Sequence, residues 1–240
     1  MLFLRKTAHY WITLLSIVGV VGLVFLNLNL SEQFVHQDEF APRWVAAKQW
    51  MTEGTSPYDR EVFEQTQALW KPYGYTADEV SQGHYLDLVW NLFLFLPFSF
   101  LPYLVARAIW MTIISLALFL SVWFGFDLAG VRFHLIEKVL IALLITLSYP
   151  CFKLILNASV LPLYVFFMII GTKKGLEGRS TAAGIYFLLS FGMFPLSLIL
   201  AVFFVIWLGS RRDSGFLSIY LTSLAFLLVT SLILFPGWIP

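Results

Sequence analysis

Long apolar runs alternate with short polar ones along this chain, and their lengths predict its elements. A helix rises ~1.5 Å per residue, so crossing ~30 Å of hydrocarbon takes about 20 mostly apolar residues. Runs of this kind cover residues 8–30, 103–126, 138–155, 158–172 and 214–235. Residues 181–209 have room for two short or tilted spans, parted around Gly192, Met193, Phe194 and Pro195. The run 86–101, which contains Pro97 and ends at Leu101-Pro102, is apolar but short. It reads as a re-entrant segment buried in protein, where irregular backbone is tolerated. The pattern therefore predicts an all-α integral membrane protein, one polytopic domain over residues 1–240 with about seven transmembrane helices. The first run reads as an uncleaved span and not as a signal peptide. Arg5 and Lys6 precede it, but Trp11 to Leu30 is 20 residues long and leaves through Asn27, Leu28, Asn29 and Leu30, whereas an h-region is ~7–15 residues and ends at a small-x-small site.

Residues 31–87 break the pattern and hold ten of the fourteen carboxylates. Within them Phe40, Trp44, Ala47 and Met51 recur at helical spacing over 40–53, with Arg43, Lys48 and Glu53 elsewhere on the wheel and Gly54 as the stop. An amphipathic helix carrying two tryptophans can lie in the membrane interface. Ser56-Pro57-Tyr58-Asp59 reads as a turn into a second helix capped by Asp59, with the stripe Val62, Phe63, Thr66, Leu69 and Trp70. Residues 71–85 read as irregular.

Composition sharpens this picture. The chain is 60% hydrophobic and 12% charged, with a mean hydropathy of +0.83, against about a quarter charged in soluble domains. Nine Trp, ten Tyr and 24 Phe suit lipid-facing spans and interfacial belts. A net charge of +1 without a basic, aromatic-interleaved patch gives no argument for nucleic acid, and none is expected as a partner. The single cysteine, Cys151, cannot form an intramolecular disulfide and reads as a small buried hydrophobe. Charge also orients the spans. If 86–101 does not cross, then Arg5, Lys6, Arg132, Lys138, Lys173, Lys174, Arg179, Arg211 and Arg212 share one side, nine of the fifteen basic residues. The positive-inside rule makes that side cytoplasmic. The N-terminus is then cytoplasmic, the 31–87 segment is an extracytoplasmic first loop, and the plasma membrane is the expected location.

Candidate chemistry gathers at His36-Gln37-Asp38-Glu39-Phe40. Asp38 and Glu39, two carboxylates at a membrane boundary, can take a proton from a hydroxyl once partly desolvated; equally, they can complement the dipole of the helix that follows. Lys153 lies in an apolar run three residues after Pro150 and four before Asn157. An ionisable group there is either functional or snorkels to the interface, and Arg107 poses the same choice. Arg43, about one turn from Glu39, can pair with it or reach a phosphate. His36 and His84 are potential phosphate ligands in a polar loop. No His/Cys/Asp spacing indicates a metal site, and no Gly-rich loop indicates a nucleotide cradle.

Several of these residues fall in a pattern. Glu39-Phe40, Trp44-Val45-Ala46-Ala47 and Gly54-Thr55-Ser56-Pro57-Tyr58-Asp59 resemble the first-loop signature of glycosyltransferase family 87, of the GT-C class. The resemblance continues through Leu96-Pro97, Leu101-Pro102, Ala106-Arg107 and Trp110 and reaches Ala183-Gly184, covering about residues 35–210. His36-x-Asp38-Glu39 is also similar to the His-Pro-Asp-Glu motif of the dolichol-dependent mannosyltransferases. The chain departs from the family at several points. Glu39 stands where the family usually has Asp, leaving Asp38 and Glu39 both open as the base. Tyr85-Leu86-Asp87-Leu88 replaces a Tyr-x-Pro, Leu156-Asn157 a Gly-Gln pair, and Phe194-Pro195 a Lys-Pro.

The resemblance implies an inverting transfer of a sugar from a polyprenyl phosphate to an extracytoplasmic hydroxyl. Asp38 or Glu39 would act as base, with Arg43, His84, Arg107, Lys153 and Asn157 as phosphate or substrate ligands. The lipid-linked sugar is itself the donor, so no cofactor is expected. Rival readings are a non-catalytic membrane subunit or lipid-binding scaffold that keeps the fold, and a small transporter, for which the absence of an internal repeat is unfavourable. The family carries further spans beyond residue 235, so either a fragment or a minimal version is expected, with an apolar face on the last spans covered by lipid, a partner chain or a second copy.

Overall fold

A computed structural model describes residues 2–34, 38–73, 84–85, 87–190, 199, 202–203, 206–207 and 215–235. All regular structure among them is helical. The elements are α1 (Leu2–Gln33), α2 (Phe40–Glu53), α3 (Arg60–Trp70), a 3-10 turn (Lys71–Tyr73), a second (Val89–Asn91) running into α4 (Leu92–Ser99), α5 (Tyr103–Leu128), α6 (Leu135–Thr146), α7 (Tyr149–Leu156), α8 (Leu161–Leu176), α9 (Ser180–Leu189) and α10 (Gly215–Leu234).

Three of these are long and apolar enough to cross a membrane: α1 over Ser16–Gln33, α5 and α10. A fourth candidate is the pair α6 and α7, which read as one straight span over 138–155 but bend by 62°. The bend falls at Leu147-Ser148, and Pro150 sits in the first turn of α7. Proline lacks an N–H and crowds the preceding carbonyls, so it is accommodated in a first turn and not within a continuing helix. The chain is thus a helical membrane protein with three or four candidate spans among the described residues. α8, expected as a span, has 16 residues and α9 has ten. The expected break around Gly192–Pro195, the loop arginines Arg211 and Arg212, His36 and the terminal Pro236–Pro240 lie outside the described residues.

α5 is the central helix. α1 runs antiparallel to it, tied by Asn27 Nδ2 donating to Thr112 Oγ1 at 2.9 Å and by the Ser31 hydroxyl facing Met111 Sδ at 3.4 Å. α8 runs parallel to it, from Trp110 Nε1 donating to the Ala158 carbonyl at one end to Lys173 facing Asp127 at the other. α9 and α10 approach closely at Gly184, where a Cβ would meet the Ile219 side chain at 2.4 Å and the Phe216 carbonyl at 3.1 Å. Side by side, these helices give the bundle two polar ends. One carries Asp127, Lys138, Lys173, Lys174 and Glu177. The other carries the C-terminus of α1, α2, α4, the first turns of α5 and the α7–α8 turn.

α2 has the predicted bounds and stop: Gly54 takes φ +69° and donates to the Trp50 carbonyl, a left-handed conformation that glycine adopts without steric cost. Its apolar face does not lie open at an interface, however. Phe40, Ala41, Trp44, Val45, Ala46 and Ala47 are buried. Phe40 packs among Phe95, Phe98, Tyr103 and Trp110, and Trp44 Nε1 donates to the Phe98 carbonyl at 2.9 Å. Met51, expected on that face, is exposed. Of the predicted α3 stripe, Val62, Thr66 and Trp70 are buried, and Phe63 and Leu69 are half-buried. Asp59 precedes it, but its carboxylate accepts from the Ser56 N–H at 3.1 Å and makes no side-chain cap bond. The Val89–Ser99 segment packs against α2 and the start of α5 at the same end of the bundle.

Candidate functional site

The two adjacent carboxylates have opposite fates. Asp38 is 2% exposed. Its Oδ1 accepts from the Phe40 N–H at 2.8 Å, and its Oδ2 takes the Tyr103 hydroxyl and lies 3.2 Å from Arg107 Nε. Arg107, fully buried, donates to the carbonyls of Ser31 at 3.2 Å, Phe34 at 2.5 Å and Leu156 at 2.7 Å. Those carbonyls end α1 and α7, and a helix end leaves its last carbonyls without intrahelical donors. One guanidinium therefore ties the ends of two helices and the Asp38 turn to α5. Burial pushes the Asp38 carboxyl above its ordinary value, against Arg107, Tyr103, the Phe40 N–H and Arg43, which lower it. Asp38 is closed to solvent.

Glu39 is open, its side chain 43% exposed. Its backbone N–H donates to the Asn157 carbonyl at 2.9 Å, and the Ser159 hydroxyl donates to its Oε2 at 2.9 Å. Between those two contacts sits Ala158, fully buried at φ +50°. A non-glycine residue there is strained by roughly 1–2 kcal/mol, and the Trp110 indole bonded to its carbonyl helps hold it. The turn after α7 thus fixes the Glu39 backbone and one carboxylate oxygen.

Arg43 lies 3.6 Å from Glu39 Oε2 and also donates to the Glu39 carbonyl. Its main partner is Asp87, which receives Nε and Nη2, the latter at 3.0 Å. Burial opposes the Arg43 charge, and Asp87 more than offsets it, holding the guanidinium above its ordinary value. Such two-point pairing matches the guanidinium fork. Tyr58 donates to the Asp87 carbonyl at 2.7 Å, and burial together with Asp87 pushes its hydroxyl up to about 12. Tyr85 is pushed up for the same reasons.

The other predicted ligands are dispersed. Lys153 is exposed on α7, one turn before Asn157. Asn157 contributes its backbone carbonyl. His84 is exposed and stacks flat on Phe63, ring centroids 4.0 Å apart. Arg107, expected to face a phosphate, is occupied by Asp38 and three carbonyls. Neither Asp38, Glu39 nor Lys153 lines the groove between α2 and α3, a cavity of about 390 Å³. Ser159, Asp87 and Tyr103 were missed from the sequence. Ser159 had a visible signal, since Asn157-Ala158-Ser159 is the polar break between two apolar runs. No group of three or more His, Cys, Asp or Glu among the described residues is placed to hold a metal. Comparisons of the chain with protein-family models, with curated proteins and with solved structures return no match.

Proposed function

We propose that this chain is a GT-C-like membrane glycosyltransferase, or a diverged relative of one, with Glu39 as its base. What supports the reading is the division of labour between neighbours. Asp38 is consumed in building the site, while Glu39 stands half-exposed and oriented by Ser159 at 2.9 Å. In the proposed reaction Glu39 takes the proton of an acceptor hydroxyl as that oxygen attacks the anomeric carbon. The new glycosidic bond forms with inversion, and the bond to the phosphate oxygen breaks, releasing polyprenyl phosphate. Lys153, exposed on α7 one turn before Asn157, is the cation proposed to meet the departing phosphate.

The same reading takes the spans as about seven, 86–101 as re-entrant, and the α2–α3 segment as extracytoplasmic on a plasma-membrane protein with a cytoplasmic N-terminus. Thiol labelling tests the orientation. With Cys151 replaced, Arg60→Cys and Leu176→Cys should react from opposite faces; reaction from one face removes the proposed placement of Glu39.

The chemistry is tested by incubating the protein in liposomes with radiolabelled polyprenyl-phosphate hexoses and a hydroxyl acceptor. Glu39→Gln should reduce transfer to background, while Asp38→Asn keeps most of it. Equal rates for Glu39→Gln and wild type would refute the assignment. A non-catalytic scaffold is the second reading, favoured by one observation: Arg43 and Arg107 are both already engaged by carboxylates. It predicts no transfer from any donor and unaltered assembly in Glu39→Gln.

A further inference from the structure

The groove between α2 and α3 belongs to neither polar cluster described above. Its volume is about 390 Å³, within the ~300–1,000 Å³ typical of small-molecule sites. Gln49 lines it, 2% exposed, and neither its Oε1 nor its Nε2 has a hydrogen-bond partner. Burying an amide with both ends unmet costs stability, and native proteins seldom leave one so. Around Gln49 the rim carries Thr52 and Gln65, together with one cation, Lys48, and one anion, Glu53. Lys48 Nζ lies 4.8 Å from the Trp44 ring centroid, and Leu69 adds apolar surface.

We infer that this groove binds a neutral oligosaccharide, with the Gln49 amide as its central hydrogen-bonding group. An amide offers a donor and an acceptor side by side, which is what two adjacent sugar hydroxyls require. The lining charges cancel, so an anion such as a phosphate gains nothing there. The apolar floor suits the C–H face of a pyranose ring. An extended peptide is disfavoured because it usually docks by adding to a sheet edge, and no strand occurs among the described residues. Exposed Arg60, Glu61, Glu64 and Gln65 put the outer face of α3 in water, where a soluble glycan can reach it. Gln49 lies ten residues along α2 from Glu39, roughly 15 Å at helical rise. The inference stands without the transfer reading, since binding needs no base.

The test uses the whole protein in lipid nanodiscs, free of sugar-headed detergents, titrated calorimetrically with mannotriose, maltotriose and chitotriose. At least one should bind. Gln49→Met keeps the side-chain length and removes the amide. It should weaken binding by about tenfold or more, the size of one or two lost hydrogen bonds, while the unfolding midpoint holds or rises. Gln65→Ala, on the exposed rim, should also weaken binding with the fold intact. Glu39→Gln should bind as wild type does, which separates this site from the proposed reaction. No binding by any of the three sugars overturns the proposal. So does unchanged affinity in Gln49→Met, or a lowered unfolding midpoint in that variant, which would make the amide a structural group.

Discussion

The two ends of the helix bundle both carry ion pairs, and they use them differently. At the end away from α2, Asp127 pairs with Lys138 at 2.5 Å and Lys173 at 3.6 Å, and Lys174 pairs with Glu177 at 2.9 Å. Apart from Lys138, whose side chain is 12% exposed, these groups are a quarter or more exposed, and two of the lysines also lie over aromatic rings, Lys138 on Trp123 and Lys173 on Phe124. Such side chains can rearrange with the water and headgroups around them, and the aromatic rings suit an interfacial belt. At the α2 end, Asp38 and Arg107 are wholly buried, and Arg43 and Asp87 are 14% and 18% exposed. There the charges hold backbone: carbonyls of α1, α7 and the following turns converge on guanidinium groups. The first arrangement marks a boundary with water. The second fixes the chain around an open carboxylate, as a site needs if its geometry is to survive substrate binding.

The largest break in that comparison should come from Arg107→Met. Removing one member of a buried pair costs about 3–5 kcal/mol, and here three helix-end carbonyls lose their donor as well. Unfolding by SDS titration in mixed micelles should report a loss of that order. A loss near zero would mean that water or lipid can replace the guanidinium, and the two ends would then be alike.

Asp87→Asn should act less on stability and more on Glu39. It removes the charge from the two-point contact with Arg43 while keeping a side-chain oxygen, for a loss of about 1–3 kcal/mol. Arg43 is then free to swing onto Glu39 Oε2, already 3.6 Å away. Any transfer activity that depends on Glu39 as base should fall, because a closer cation makes the carboxylate a weaker proton acceptor. Stability lost with activity unchanged would disconnect the Arg43–Asp87 pair from the site.

Much of the fold was legible, and the reason is local. α2 follows from the spacing of Phe40, Trp44 and Ala47 and the stop at Gly54, and α10 from an unbroken apolar run; both need only near neighbours in sequence. The bend at Leu147-Ser148 was legible in principle from Pro150 but was masked by a continuous apolar composition. The site was half legible. Adjacent Asp38 and Glu39 stand out in the sequence as a candidate pair, yet nothing local distinguishes them. The distinction comes from Tyr103 and Arg107 on α5 and Ser159 after α8's predecessor helix, α7, residues distant in the chain that only the packed bundle brings near. The burial of Arg107 was equally invisible, since a cation in an apolar run looks the same whether it faces a cavity or caps carbonyls.

Lys138→Met sharpens the other side of the comparison. Partly exposed pairs are worth about 0–1 kcal/mol and weaken with salt. Lys173 remains 3.6 Å from Asp127 when Lys138 is lost. The expected change is therefore within about 1 kcal/mol and shrinks further when the salt concentration is raised. A larger, salt-insensitive loss would make this end as constrained as the other.

For Asp38→Asn the direction of the effect with pH carries the information. Asparagine keeps an oxygen for the Phe40 N–H and Arg107 keeps its three carbonyls, so the loss should be smaller than for Arg107→Met, although the buried guanidinium is left without its carboxylate. Burial outweighs Arg107, Tyr103, the Phe40 N–H and Arg43 in setting the carboxyl, which is raised above its ordinary 3.8. A carboxyl raised in the fold binds its proton at higher pH than the unfolded chain does. Its contribution to stability is therefore fully present below the unfolded value and is lost as pH rises through the folded one. Asparagine cannot titrate, and every other ionisable group is shared by the two proteins. The stability of wild type relative to Asp38→Asn should accordingly grow as the pH is lowered from neutral into the acid range. If it shrinks instead, the carboxylate is held charged by Arg107 more strongly than burial opposes it. The lock at the α2 end would then be an ion pair in energy as well as in geometry.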